Sequence, residues 1–193
     1  MTAPDPVARF HALLARARAA SPHDPTAAAL ATCDARGRPS VRIVLVKSFD
    51  ARGLVFHTNR ASRKGRELAE NPRAALCFHW PAIAEQVRAE GEVSLLGDAE
   101  SDAYFASRPR PSRVGAWASR QSERLGTREE LLAAVRAEEA RFAGREVPRP
   151  PFWGGYVLRP DAIEFWTGAE DRLHERTIYV RDGEGWRTSL LQP

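Results

Sequence analysis

The chain has 193 residues, 43% of them hydrophobic and 28% charged, with a formal net charge of +4. That is enough for one domain that buries most of its apolar surface, and the mix is that of an ordinary globular protein, not a disordered or fibrous one. The opening MTAPDPVARF lacks the apolar core of a secretory leader, no run reaches membrane-span length, and acidic residues interleave with basic ones; a cytoplasmic protein with neither a membrane nor a nucleic-acid partner is expected.

Residues 5–21, DPVARFHALLARARAAS, predict a helix capped by Asp5, with Pro6 at its first position and Phe10, Leu13, Leu14 and Ala17 as its apolar stripe. TAAALATC, SVRIVLVKSF and LVFHTN predict three strands joined by the Asp/Gly turns DARGRP and DARG, an antiparallel meander. ASRKGRELAENP is a short helix capped by Ser62 and stopped before Pro72. RAALCFHW and AEQVRAEGEVSLL return to strand. DAESDAYFASRP and TREELLAAVRAEEARFAG read as helices, the second ending on a glycine stop signal. After PRPP the tail supplies three or four closing strands, with DGEG as a hairpin turn. No repeat or linker interrupts the chain. The expectation is a single domain over 1–193, mainly β with peripheral helices: a barrel of six to eight antiparallel strands.

The common nucleotide and hydrolase fingerprints are absent, and Gly154-Gly155 in FWGGY is too short for a phosphate loop. Cys33 and Cys77 lack metal-ligand spacing and read as buried free thiols, so no metal is expected. Of 29 basic residues only Lys47 and Lys64 are lysines, leaving 27 arginines. The two survivors either mark places that need a compact point charge or persist by chance.

Three clusters carry the chemistry. In RIVLVK, alternation puts Arg42, Val44 and Val46 on one strand face and Ile43, Leu45 and Lys47 on the other. Thr58, Arg63 and Lys64 gather at the start of a short helix, where free N–H groups and two cations suit a phosphate; a solvated helix end is the plainer reading. Gln121 and Ser122 in ASRQSERLG are neutral donors suited to a heterocycle or a phosphate. Finally, FWTGAEDRLHERTIYVR spaces Arg172, His174 and Arg176 two apart. As a strand it would stack them on one face, where they repel unless an anion holds them. The residues alone give an anion-binding barrel.

RIVLVK, FHTNRASRKGREL, NPRAALCFHW, EQVRAEGEV, YFASRPRPSRVGAWASRQS, PPFWGGY and EFWTGAEDRLHER follow one another in an order and spacing that resembles the pyridoxamine/pyridoxine 5′-phosphate oxidases, across about residues 24–193. The resemblance implies an FMN-binding split β-barrel, a homodimer whose subunits share each site. It implies oxidation of pyridoxamine or pyridoxine 5′-phosphate to pyridoxal 5′-phosphate, with O2 as acceptor and H2O2 released. By motif, FMN would be held by Arg42, Ile43, Val44, Leu45, Val46, Lys47, His57, Thr58, Arg63, Lys64, Gln86, Gln121, Ser122, Trp166 and Arg176. Substrate would meet Lys47, Tyr104, Arg108, Ser112, Arg172 and His174, with Arg172 and His174 acting at the carbon oxidised. Tyr104, Arg108 and Ser112, four apart, would be presented by one helix and its end. The repulsion along the Arg172–Arg176 segment would be relieved by the two phosphorylated ligands.

This chain departs from the family pattern in three places. His57 stands where the family usually has tyrosine, Glu175 replaces the aspartate of RLHDR, and the segment before residue 24 is short, which predicts a more open site. The alternatives are a related flavin oxidase acting on another ring system, such as a phenazine precursor, and a non-catalytic flavin- or pyridoxal-phosphate-binding protein.

Overall fold

In a computed structural model, which describes residues 5–193, the long strand β6 (Trp153–Thr167) organises the sheet. One edge of it pairs with β5 (Glu85–Leu95). The opposite edge divides: Trp153 to Leu158 pair with β3 (Gly53–Asn59), and Ala162 to Thr167 with β7 (Glu175–Asp182). With β1 (Ala27–Cys33), β2 (Pro39–Asp50), β4 (Arg73–Trp80) and β8 (Gly185–Leu190), the order is β3-β2-β1-β4-β5-β6-β7-β8, closed by β3 on β6. The result is a six-stranded antiparallel barrel, split along β6, where β7 and β8 continue the sheet outward.

Alternation packs the barrel. Leu30, Phe56, Leu76, Phe78, Leu158, Ile163 and Phe165 are fully buried. Helix α1 (Pro6–Ala20), capped by the Asp5 carboxylate on Val7 N–H, plugs one end; its Phe10 ring meets Phe49 and Phe78 edge-on at 5.2 and 4.9 Å. A second cluster of Phe105, Val114, Phe142, Val147 and Trp153 seats three further helices against the start of β6. These are α3 (Asp98–Ser107), α4 (Arg110–Ala118) and α5 (Arg128–Arg141); α2 (Arg63–Glu70) lies between β3 and β4.

Two irregularities shape the sheet. The β2–β3 register shifts between Val46 and Ser48, leaving Lys47 as the extra residue of a bulge. The β5–β6 register shifts at Glu90/Gly91, where a Cβ on Gly91 would lie 2.0 Å from the Arg159 carbonyl oxygen. Bulges bend strands and re-aim side chains.

Two expectations need correction. Residues 98–118 form two helices, broken at Arg108-Pro109. Proline disfavours a helical residue before it, and Arg108 is extended (φ −74, ψ 147). Tyr104 therefore lies on α3, Arg108 at the break and Ser112 on α4. Likewise Arg172, His174 and Arg176 do not share a strand face. Antiparallel pairing of β6 with β7 starts at Thr167 opposite Glu175, so the residues between must turn the chain. They do so through a short 3-10 turn, Glu170–Arg172, and only Arg176 is in strand. The tail holds three strands.

Candidate active site

A cleft of about 560 Å³ opens where the β2 bulge, β3, the start of β6 and the α3–α4 break converge. Lys47, His57, Thr58, Tyr104, Arg108, Ser112 and Gln121 line it. One wall is a stack of rings: His57 lies 4.0 Å from Tyr104 at 22° and 5.3 Å from Trp153 at 14°. The Arg108 guanidinium sits 4.9 Å over Trp153, and Lys47 Nζ 6.0 Å from the Tyr104 ring. Burial holds Arg108 below its ordinary pKa, and its Nη1 is buried without a hydrogen-bond partner. Among the described residues no carboxylate forms a salt bridge with it. An unpaired buried cation is costly; beside Lys47 and two hydroxyls, it makes this cleft a place for an anion. His57 is neutral there, because burial, then the Lys47 charge, bring its pKa down to about 4.

The floor continues to α2. Gly65 lets the first turn approach the bend that follows β3, since a Cβ there would lie 2.1 Å from the Arg60 carbonyl oxygen. Lys64 is consequently turned inward. Its Nζ donates to Gln121 Oε1 (3.0 Å), Thr58 Oγ1 (3.2 Å) and Ser62 Oγ (3.3 Å), tying the α4–α5 loop to the barrel. Burial and the nearby Arg42 charge lower its pKa to about 8. Ser122, next in that loop, is held at φ 75. Arg42 points inward, donating to Leu30 O and Thr32 Oγ1, whereas Arg63 is exposed and donates to Glu67.

A second group lies elsewhere. Gln86, Trp166 and Arg176 sit side by side on β5, β6 and β7. His174 packs its ring 4.6 Å from Trp166 and accepts the Ala169 N–H at Nδ1 (3.2 Å). Asp171 and the exposed Arg172 are held at φ 54 and 61, strained values for residues with a Cβ. Arg176 donates to Glu164 at 2.8 and 3.1 Å, so a carboxylate of the same chain balances part of its charge. From Trp153 at the cleft to Trp166 the path along β6 is about 40 Å.

The predicted site residues thus fall into two separate groups in one chain. Of the strand Arg42 to Lys47, only Leu45 and Lys47 line the cleft; Val44 and Val46 are in the core and Ile43 faces out. Sequence reasoning missed Trp153 as the cleft wall. Its signal was the adjacent glycine pair: Gly154 makes room for the Arg60 guanidinium and Gly155 for the Leu96 side chain and, beside it, the His57 ring.

Fold and site together define a split-barrel protein with a cation-lined, anion-seeking cleft. Residues 14–142 match the family model "Pyridoxamine 5'-phosphate oxidase", and residues 153–193 the "Pyridoxine 5'-phosphate oxidase C-terminal dimerisation region". The chain belongs to the pyridoxamine 5′-phosphate oxidase family and is an oxidase. It is 71% identical over 191 residues to the pyridoxine/pyridoxamine 5′-phosphate oxidase of Anaeromyxobacter dehalogenans (strain 2CP-C), covering 99% of this chain and 96% of that one. It is 56% identical over 193 residues to that of Myxococcus xanthus (strain DK1622), covering 100% and 94%. Among solved structures, PhzG from Burkholderia lata 383, in complex with tetrahydrophenazine-1-carboxylic acid, superposes with TM-score 0.92 at 39% identity, covering 98% of this chain and 93% of that one.

Proposed function

We propose that the protein binds FMN and oxidises pyridoxamine and pyridoxine 5′-phosphate to pyridoxal 5′-phosphate in the cytoplasm. It acts as a homodimer in which each site joins the cleft of one subunit to the 166–176 cluster of the other. The observation that carries this reading is the uncompensated Arg108 beside Lys47, Tyr104 and Ser112. Two cations and two hydroxyls suit the phosphate dianion that both vitamers share. The names of the similar oxidases support the same substrates.

The start of α2 fits a flavin phosphate. Lys64 is buried among neutral oxygens, and the helix presents N–H groups beside it. Thr58, Arg63, Lys64 and Gln121 would hold that end of FMN, with Gln86, Trp166 and Arg176 arriving from the partner. Bound FMN supplies the two-electron acceptor chemistry and the contact with O2. Overall, the alcohol loses two hydrogens to O2, giving H2O2; the amine also takes up water and releases ammonia. Arg172 and His174 orient the substituent at the substrate C4′. A neutral His174 that accepts at Nδ1 carries its proton on Nε2, and so presents a donor there. The ring stack and the α3–α4 break hold the phosphate end still, so the binding energy of that end is spent on aligning the reacting one.

The phenazine alternative draws on the PhzG likeness, and that protein's ligand is a carboxylate. The paired cations and hydroxyls favour a dianion. The test is anaerobic: pyridoxamine 5′-phosphate, then pyridoxine 5′-phosphate, is added to FMN-loaded protein while visible flavin absorbance is followed. Bleaching is expected, reversed by air with pyridoxal 5′-phosphate and H2O2 as products. A flavin that stays oxidised with both, yet bleaches with a dihydrophenazine carboxylate, would overturn the substrate assignment. No bleaching with any of them would leave a binding role.

A further inference from the structure

We infer that Glu67 is a positioning residue for the phosphate end of the flavin site, holding the Arg42 and Arg63 guanidinium groups in readiness. The inference rests on the reading that FMN phosphate binds at the start of α2. Glu67 is 5% exposed and both its oxygens accept from side chains of this chain, so it serves the site through the arginines.

Its two oxygens divide the work. Oε2 is embedded in the barrel, accepting from Thr32 Oγ1 (2.5 Å), Ser40 Oγ (2.6 Å) and Arg42 Nη2 (3.3 Å). Oε1 accepts from Arg63 Nε at 2.8 Å. Arg42 is held further by Leu30 O (3.0 Å) and Thr32 Oγ1 (2.6 Å). Arg63, by contrast, is 59% exposed, and Glu67 is its hydrogen-bond partner. Without that carboxylate its long side chain would sample solvent, and a ligand would have to order it on binding.

The charge balance points the same way. Glu67 bonds to both Arg42 and Arg63, with Lys64 nearby. The pocket that Arg63 and Glu67 line holds Arg36, Arg38 and Arg66 beside Asp34 and Glu70, so cations remain in excess, as suits a phosphate dianion. Burial disfavours ionisation of Glu67, but hydrogen bonds from Ser40, Thr32 and Arg63 outweigh it and bring its pKa down to about 2. The carboxylate therefore stays charged at any working pH. A residue needed only to seat α2 would require no such array, since Leu68 on the same helix is also buried.

The experiment compares two ligands. Apoprotein is titrated with FMN and with riboflavin, which lacks the phosphate, following quenching of flavin fluorescence. Glu67→Gln keeps the size and one acceptor oxygen but loses the charge. It is expected to weaken FMN by about 10-fold while leaving riboflavin unchanged. In an Arg63→Ala background most of that loss should disappear, because the effect acts through the arginine. Glu67→Asp, which keeps the charge but withdraws it, should show the same selective loss and covers the case in which the glutamine variant does not fold. Equal weakening of both flavins, or unchanged or tighter FMN binding, overturns the inference alone. If wild-type apoprotein does not prefer FMN to riboflavin, the phosphate site itself is refuted, and the inference with it.

Discussion

Replacing Arg108 by alanine removes a cation that burial penalises and that, among the described residues, no carboxylate pairs with. A charged hydrogen bond to substrate phosphate is worth about 1.5–3 kcal/mol. KM for either vitamer should therefore rise on the order of 10²-fold, with kcat less affected and the melting temperature unchanged or raised. A variant that melts markedly earlier would make Arg108 a structural residue. His57 gives a second expectation at this scale. Its pKa is about 4 in the folded chain against an ordinary 6.5, because burial and then Lys47 disfavour the imidazolium. Between those values the unfolded chain takes up a proton that the folded chain refuses. This contribution to stability is therefore complete above pH 6.5 and declines as pH falls towards 4. His57→Tyr, which keeps a ring in the stack, should melt with a shallower pH dependence over that window. Parallel melting curves for the two proteins would show that His57 is not the group responsible.

At the scale of elements, α2 depends on one close approach. Gly65→Ala would place a Cβ 2.1 Å from the Arg60 carbonyl oxygen, which is backbone and cannot swing away. The helix must shift, at a cost of about 1–3 kcal/mol. Because Lys64 reaches Thr58 and Gln121 only from the present position of α2, flavin retention should fall together with the melting temperature. Normal FMN content in a destabilised Gly65→Ala protein would detach α2 from the cofactor. The β2 bulge works in the same way at a smaller step: it leaves Lys47 unpaired with β3 at the cleft, where regular alternation alone would not specify its aim.

At the scale of the whole molecule, the two residue groups lie at opposite ends of β6, and the proposed dimer brings one of each together. The outer face of β2 carries Val41, Ile43 and Leu45 at 69, 66 and 41% exposure, an apolar stripe that continues to the cleft through Leu45. Such a stripe is what a second copy would cover. The decisive arrangement is a mixed dimer. Arg108→Ala and Arg172→Ala proteins should each be weakly active, yet a refolded equal mixture should regain about a quarter of wild-type turnover, because half the dimers are mixed and each restores one intact site. A mixture no more active than its parents would place each site within one chain.

Much of this protein was legible in its sequence. The five strands before the tail, three strands where three or four were expected in it, the Asp5 and Ser62 caps and the helix from Thr127 follow from local periodicity and end signals, which short-range sterics and hydrogen bonding enforce. The family motifs were legible as a resemblance, and the two lysines in a chain otherwise using arginine both lie at the candidate site. What the tertiary structure alone decided are the long-range pairings. The turn at Arg172 exists because β7 must return along β6; the division of the site residues exists because a strand as long as β6 serves two partners. The countercharge of Arg176 is Glu164, one strand away, and the partner of Arg42 is a carboxylate on α2. Local pattern specifies which residues can face the interior. Which charges meet there depends on register and closure of the barrel, and no window of sequence contains those.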